Sequence, residues 1–242
     1  MNKQGKDGIE WCDMTWNPVT GCLHGCEYCY ARSIVNRFGL NFAPKLGDPG
    51  MEGACKYDSP EGMDTMLELE KPYIKNGRMQ SYPMAFLPTF HRYRLGDPAK
   101  IKQPQKIFVV SMGDFFGEWV PDEWIQEVFK ACEAAPQHTY MFLTKNAKRY
   151  LSLYGKKLFP YKENYWFGTT LTKPSDEYVW FEKTPYKTFV SIEPLLEGFG
   201  ELEKGVMPNW VIIGQQTGPG AVPPKPEWVQ SIIDQCRAAG VP

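Results

Sequence analysis

Three cysteines lie within eight residues, in the stretch TGCLHGCEYCYAR (20–32), and thiols at such spacing can hold a metal or an iron–sulfur cluster. They are Cys22, Cys26 and Cys29, which gives the pattern C-x3-C-x2-C. Structural zinc sites usually have four protein ligands, whereas this loop supplies three thiols. Three thiolates on a four-iron cluster would leave one iron open to bind a further ligand.

The four other cysteines show no paired spacing of their own. Cys12 lies ten residues before the triad and His24 lies inside it, so either could complete a zinc site as an alternative. Cys132 and Cys236 fall on the apolar faces of predicted helices, which favours a place in the core. Cys12 and Cys55 stay open as hydrogen donors or substrate contacts.

The composition is that of a globular chain of 242 residues, 43% hydrophobic, with a formal net charge of −1. This charge excludes the broad basic field of a general nucleic-acid binder. The N-terminal residues do not have the apolar run of a secretory signal, and no stretch approaches the ~18 apolar residues of a membrane helix. We therefore expect a cytoplasmic protein with no membrane association. In that reducing compartment, clustered cysteines indicate metal or redox chemistry.

Short β-rich runs alternate with amphipathic runs from about residue 105 onward, which predicts a parallel sheet with helical crossovers. Helices are expected from Pro121, from about Asn146 to Gly155, from Pro174 and from Pro226 to Gly240. Strands are expected at 106–111, 139–144, 165–170, 187–192 and 209–214, with a first strand at 14–21 before the cysteines.

Each of the five later strands ends in small or polar residues that do not suit a core. Ligands of parallel α/β proteins bind at the carboxyl ends of the strands, so these residues are expected to converge on one site. They are Ser111, Gly113, Asp114, Thr144, Lys145, Thr169, Thr170, Ser191, Glu193, Gly214, Gln215 and Gln216.

Residues 40–104 interrupt the alternation and are rich in Gly, Pro and Met. We interpret them as an irregular insertion after the cysteine loop that covers the site or a substrate channel. His91, Arg92 and Arg94 close this insertion and could meet an anionic substrate, although a solvated loop explains each of them as well.

The cysteine pattern, with the aromatic Tyr28 before its last cysteine, resembles the signature of the radical S-adenosylmethionine (radical SAM) superfamily. Within it, the chain is similar to the phage-associated Gp37/Gp68-like proteins, which carry a domain of unknown function. A more distant similarity links it to the spore photoproduct lyase branch. The similarity to the phage group rests on TWNPVTGC (15–22), PTFHRYRL (88–95), VVSMGDFFGEWVP (109–121), FLTKNAKRY (142–150), SIEPLL (191–196) and residues 210–242.

This resemblance implies one domain over 1–242, a partial TIM-type (β/α)6 radical SAM barrel with the insertion at 40–104. It implies a [4Fe-4S] cluster on Cys22, Cys26 and Cys29. It also implies S-adenosylmethionine (SAM) as cofactor and a flavodoxin- or ferredoxin-type electron donor.

The residues expected to hold SAM follow from this resemblance and from the polar strand ends. Lys145 would meet its carboxylate. The amine would bind at Ser111, Met112, Gly113 and Asp114, the ribose at Thr169, Thr170 or Glu193, and the adenine at Tyr28, Gly214 and Gln215. The family more often has an acid at position 216, where this chain has an amide.

The implied activity is reductive cleavage of SAM to a 5′-deoxyadenosyl radical that takes hydrogen from a substrate. A nucleic acid or nucleotide is the favoured substrate, with Arg92, Arg94, Lys148, Arg149, Lys156 and Lys157 facing phosphates or, equally, lying on a solvated helix face. The alternatives are a peptide or protein substrate, and a non-enzymatic module with structural zinc at Cys12, Cys22, Cys26 and Cys29.

Overall fold

The structure is a computed structural model that describes residues 1–5, 8–38, 54–56, 67–178, 185–201, 207–218 and 220–242. The chain divides into two compact units, Met1–Tyr140 and Met141–Pro242. The expectation of a single barrel domain over the whole chain stays a prediction.

The protein is a mixed α/β chain. Its helices are α1 (Tyr30–Phe38), α2 (Asp122–Glu133), α3 (Lys148–Gly155) and α4 (Pro226–Ala239). Its strands are β1 (Asn2–Lys3), β2 (Met14–Trp16), β3 (Val19–Thr20), β4 (Ala54–Lys56), β5 (Leu67–Leu69), β6 (Ile74–Lys75), β7 (Arg78–Met79), β8 (Thr89–His91), β9 (Lys106–Val109), β10 (Thr139–Thr144), β11 (Tyr165–Leu171), β12 (Lys187–Ile192) and β13 (Trp210–Ile213).

A mostly parallel sheet of seven strands has the order β1-β2-β9-β10-β11-β12-β13. The pairs β2–β9, β11–β12 and β12–β13 are parallel, and β1 pairs antiparallel with β2. Across the described residues, no strand pairing closes this sheet into a barrel. The order follows the chain from β9 onward, as the alternation of strands and helices predicts.

A second sheet of four strands, in the order β3-β8-β5-β4, is formed largely by the predicted insertion. The β6–β7 hairpin lies in the same stretch of chain. Residues 39–53 and 57–66 lie outside the described residues, but the remainder of the insertion is more regular than its composition indicates. Its core consists of Leu67, Leu69, Tyr73 and Met84.

The five later strands agree with the sequence prediction to within two residues at each end. The strand predicted at 14–21 is wrong in one respect, because the chain forms two strands that belong to different sheets. Pro18 separates them, since proline has no N–H to donate to a ladder. Its carbonyl instead accepts a hydrogen bond from the His91 N–H at 2.7 Å.

The helix predicted from Pro174 is also wrong over the described residues, because 174–175 form a turn, 176 is a bend and 177–178 have no regular structure. The Asp176 carboxylate accepts hydrogen bonds from the Thr172 N–H at 2.6 Å and the Thr172 hydroxyl at 2.8 Å. A side chain that binds nearby backbone donors competes with helix formation. Residues 179–184 lie outside the described part of the chain.

Helices α2 and α4 form as predicted. Pro121 caps α2 in an extended conformation, and Gly240 ends α4 at a φ of 67°. Cys132 of α2 and Cys236 of α4 are both buried, so their assignment to the core is confirmed.

Candidate functional site

The cysteine loop follows β3 and begins beside the carboxyl end of β9. The Gly21 N–H donates to the Met112 carbonyl at 2.9 Å, and Gly21 forms an isolated parallel bridge with Gly113. Gly21 has a φ of 90°, and a Cβ there would lie 2.2 Å from the Leu87 carbonyl oxygen. Only glycine fits this combination of conformation and space.

The first turn after β9 carries backbone strain. Val110 is buried and has a φ of 62°, a left-handed conformation that β-branched residues rarely adopt. Such strain costs about 1–3 kcal/mol and tends to occur where a side chain has to be aimed. The residue that follows is Ser111, the first of the polar strand-end residues that the sequence predicts for the site.

Two of the three thiol-bearing residues pack on one small apolar cluster. Cys22 and Cys29 are half-buried and lie against the cluster of Ala31, Val35, Phe86 and Met112. Burial raises the pKa of the Cys22 thiol to about 12, although a backbone hydrogen bond at His24 opposes the shift. The negative charges of Asp114, Cys29 and Cys26 raise this pKa further. This setting therefore disfavours ionisation of the Cys22 thiol unless a cation is present.

The described residues contain no group of three or more His, Cys, Asp or Glu side chains already arranged to hold a metal ion. The number, kind and spacing of the donors nevertheless fit an iron–sulfur cluster, since Cys22, Cys26 and Cys29 lie on one loop in the pattern C-x3-C-x2-C.

Two buried N–H groups beside this loop also have no hydrogen-bond partner among the described residues, Nε of Arg32 and Nε1 of Trp119. An unpaired buried donor costs about 1–3 kcal/mol, so both suit a bound anionic group.

Arg32 lies in the first turn of α1, directly after the triad. Its Nη2 donates to the Cys22 carbonyl at 3.0 Å, and its backbone N–H donates to the Cys29 Sγ at 3.4 Å. Its guanidinium carbon lies 4.8 Å from the centre of the Phe86 ring. A permanent positive charge is therefore held at the Cys22 end of the triad, and the backbone of the same residue contacts Cys29.

Ser111 and Met112 are held by Asn17. The Ser111 hydroxyl lies 3.2 Å from the Asn17 amide group, and the Met112 N–H donates to Asn17 Oδ1 at 2.9 Å. The Tyr30 hydroxyl donates to the Ser111 carbonyl at 2.6 Å. The predicted acceptors for the SAM amine are thus brought beside the cysteine loop, with several of their polar atoms engaged by the protein.

Asp114 is buried and binds His24, whose Nε2 lies 2.7 Å from Oδ2 of Asp114. The other carboxylate oxygen of Asp114 accepts from the Phe116 N–H at 3.0 Å. The His24 ring meets the Trp119 ring edge-on, with centroids 4.9 Å apart. His24, considered in the sequence as a zinc ligand, is paired here with a carboxylate.

Cys12 lies in a different setting from the triad. Its thiol is 3.9 Å from the Ile9 carbonyl, and burial raises its pKa to about 11 against an opposing backbone hydrogen bond from Phe108.

Half-buried Tyr28 lies within the cysteine loop itself. The side chain of Cys55 lies outside the described residues.

In the second unit, Lys145 follows β10, and its charge acts to lower the pKa of two carboxylates, Asp176 and Glu193. Burial raises the pKa of Glu193, while a hydrogen bond from Ser191 and the charge of Lys145 oppose the shift. For Asp176, burial is outweighed by hydrogen bonds from Thr172 and Lys173 and by Lys145, so its pKa falls. The charge of Lys145 therefore acts on the pKa of both carboxylates, and the role of Lys145 in the site stays a prediction.

The carboxyl ends of β11, β12 and β13 lie in register. Thr169 pairs with Val190 and Thr170 with Ser191, and Thr169 is buried. Gly214 follows β13 at the same level, and a Cβ on it would lie 2.7 Å from Cδ of Glu193. Gln215 is exposed and Gln216 is half-buried.

The end of β9 thus lies beside the cysteine loop in the first unit, and the ends of β11, β12 and β13 pair in register in the second. The expectation that all five ends meet at one site stays a prediction.

Several basic residues that the sequence offered to an anionic substrate are bound by the protein itself. Arg92 holds the Glu127 carboxylate through two hydrogen bonds of 2.9 and 3.0 Å and also binds Glu68 and Glu70. Arg94 donates to the Asn17 carbonyl at 2.9 Å, and Lys148 pairs with Glu177. His91 is buried within the small sheet.

The roles of five residues at these sites were not identified from the sequence: Asn17, Tyr30, Arg32, Trp119 and Asp176. Asn17 precedes a proline and looks like a turn residue. The contacts of Tyr30 with Ser111 and of Trp119 with His24 join distant parts of the chain and leave no local pattern. The position of Arg32 just after the third cysteine was the available signal.

The fold and this site define a mixed α/β protein in which a three-cysteine loop lies beside the end of the parallel strand β9. A family model described as "Protein of unknown function (DUF5131)" matches residues 6–242, so the chain belongs to the DUF5131 family. A comparison with curated proteins gave no match, and neither did one with solved structures. Within the described residues, every helix is too short or too polar to cross a bilayer.

Proposed function

We propose that this protein is a radical SAM enzyme in which Cys22, Cys26 and Cys29 hold a [4Fe-4S] cluster. The observation that carries the proposal is the C-x3-C-x2-C spacing of three cysteines on one loop, next to a buried guanidinium N–H that has no hydrogen-bond partner among the described residues. When bound, the reduced cluster supplies the electron that splits SAM into methionine and a 5′-deoxyadenosyl radical, which takes a hydrogen atom from the substrate.

The polar strand ends would bind SAM. Asp114 and the Ser111–Gly113 turn would accept from its amine, with Asn17 and Tyr30 holding that turn in place. Lys145 would pair with the SAM carboxylate. Glu193, Thr169 and Thr170 would bind the ribose, and Tyr28, Gly214 and Gln215 the adenine.

The fold that we propose for the whole chain is a partial (β/α)6 barrel. The parallel sheet with strands in chain order from β9 to β13 supports this proposal. Exclusion of water from a radical would be the task of the segment at 40–104.

We propose a nucleic acid or nucleotide as substrate. Because Arg92, Arg94 and Lys148 bind protein groups, a phosphate contact is assigned to the exposed Lys157 after α3. A peptide or protein is the alternative substrate. The electron would come from a flavodoxin- or ferredoxin-type donor, which implies a reducing compartment such as the cytoplasm.

The test is SAM cleavage by anaerobically reconstituted protein with dithionite, followed as 5′-deoxyadenosine by chromatography. The wild type should form this product, and Cys26→Ala should abolish it. Cys132→Ala removes a buried thiol outside the loop and should retain product formation in the fraction that folds. Absence of product from wild type that carries a cluster would overturn the SAM assignment.

A second variant tests the SAM contacts. Lys145→Ala should weaken SAM binding, measured by calorimetry on the reconstituted protein, and leave the iron content unchanged. Lys187→Ala is the matched control, because Lys187 lies at the start of β12 and donates to the Glu163 carbonyl. Equal SAM affinity of the Lys145 variant and the wild type would refute the role of Lys145.

A further inference from the structure

We propose that Arg32 sets the reduction potential of the cluster by donating a hydrogen bond from Nε and by holding a fixed positive charge beside it. This inference rests on the proposed function, because it requires a cluster on the three cysteines. It is carried by the placement of the guanidinium and by its unused donor.

The guanidinium is anchored on two sides. Nη2 donates to the Cys22 carbonyl at 3.0 Å, and the Phe86 ring lies against the guanidinium carbon at 4.8 Å. The backbone N–H of the same residue donates to the Cys29 Sγ at 3.4 Å. Arg32 therefore touches the first and the last cysteine of the triad, and its position is fixed before any ligand binds.

The remaining donor is the informative one. Nε of Arg32 is buried and has no hydrogen-bond partner among the described residues. Native proteins rarely leave such a group unpaired, and a buried cationic donor is best satisfied by an anionic acceptor. Sulfur atoms of an anionic cluster held by Cys22 and Cys29 are acceptors of this kind.

The sign of the effect follows from charge. One-electron reduction makes the cluster more negative, so a nearby positive charge and a hydrogen bond to sulfur favour the reduced form and raise the potential. Arginine cannot lose its charge within a protein, so this contribution does not depend on pH near neutrality. Its removal should lower the potential.

The experiment is a potentiometric titration of reconstituted protein, followed by the EPR signal of the reduced cluster. Arg32→Gln should reduce the ratio of reduced to oxidised cluster at a fixed potential by tenfold or more, which is ~59 mV for a one-electron couple. Arg32→Lys keeps the charge without the Nε donor, and its reduction potential should lie between those of the wild type and Arg32→Gln. Arg37→Gln removes one charge from the exposed part of the same helix and should match the wild type.

The outcomes separate this inference from the proposed function. A wild type that forms no cluster sinks the proposed function. A wild type and an Arg32→Gln protein that both hold the cluster at the same potential overturn the role of Arg32 alone. If Arg32→Gln does not fold, Arg32→Lys decides, because a potential equal to that of the wild type would show that the Nε donor has no effect.

Discussion

The Nε2 atom of His24 lies 2.7 Å from Oδ2 of Asp114, so a residue inside the cysteine loop is joined to a carboxylate that follows β9. The second oxygen of Asp114 closes a turn by accepting the Phe116 N–H at 3.0 Å. One buried side chain thus links the cysteine loop to the strand end from which the predicted SAM contacts come.

Asp114→Ala should lower the free energy of unfolding by about 1–3 kcal/mol, because it leaves the Phe116 N–H and the His24 ring without their acceptor. Asp114→Asn keeps an oxygen for the Phe116 N–H and should cost less. Urea unfolding of the unloaded protein measures both, with the exposed Glu118→Gln as control. Equal losses for the alanine and asparagine variants would contradict the role given to this turn.

His91 should make the stability of the protein depend on pH. Burial, together with the charge of Arg94, holds its pKa well below the ordinary value near 6.5, so the folded protein keeps the ring neutral. The unfolded chain binds a proton below pH 6.5, and the free energy of unfolding therefore falls as the pH drops from 6.5 toward the lowered folded pKa. At and above neutral pH this contribution is constant.

The measurement compares urea unfolding of the wild type and His91→Gln at pH 7.5 and 5.5. On acidification the wild type should lose about 1 kcal/mol more than the variant. The ring is held by Thr20 at 2.9 Å and by the Tyr93 hydroxyl at 3.2 Å, so the variant will also be less stable at both pH values. Parallel losses in the two proteins would show that His91 does not titrate as described.

Arg92 should be a structural residue rather than an anion contact. Arg92→Ala leaves three carboxylates close together and should destabilise the protein by about 1–3 kcal/mol. Lys100→Ala removes an exposed ion pair with Asp97 and should change the stability by less than about 0.5 kcal/mol. Thermal unfolding of both variants decides, and similar small effects would show that the Arg92 network contributes little.

Gly21 and Gly25 should respond differently to alanine, although both have positive φ. A Cβ on Gly21 meets the Leu87 backbone at 2.2 Å, whereas a Cβ on Gly25 meets nothing within 4 Å. Gly25→Ala should therefore cost only the left-handed conformation, about 1–2 kcal/mol, and Gly21→Ala clearly more. Urea unfolding of the two variants tests this order, and a smaller loss for Gly21→Ala would contradict the close approach.

Much of the regular structure could be predicted from the sequence because it depends on local patterns. The runs 139–144 and 187–192 coincide with β10 and β12. They could be predicted because buried parallel strands have continuous apolar sequences rich in β-branched residues. Helix α4 was marked by Pro226 and Gly240 at its two ends.

Other elements depend on contacts that no local pattern reveals. The small sheet pairs β3 with β8, about seventy residues further along the chain. The turn at Asp176 overrides a helical start because a carboxylate binds the backbone ahead of it. The basic residues Arg92 and Arg94 looked available to a substrate, and only the fold reveals the carboxylates and carbonyls that bind them.

The cysteines that would hold the cluster could be predicted from the sequence, but the residues that position the site could not. The three cysteines are apparent from their spacing alone. The hydrogen bonds between Asn17 and Met112 and between Arg32 and Cys22 form only in the folded chain, so the sequence pattern does not reveal them.

The metal content of anaerobically reconstituted protein tests the central claim most directly. The account predicts a brown protein with ~4 iron atoms per chain and, on reduction, an EPR signal that changes when SAM is added. Cys22→Ala, Cys26→Ala and Cys29→Ala should each lose this iron, and Cys132→Ala should keep it. A colourless wild-type protein that binds one zinc ion and no iron would contradict the account.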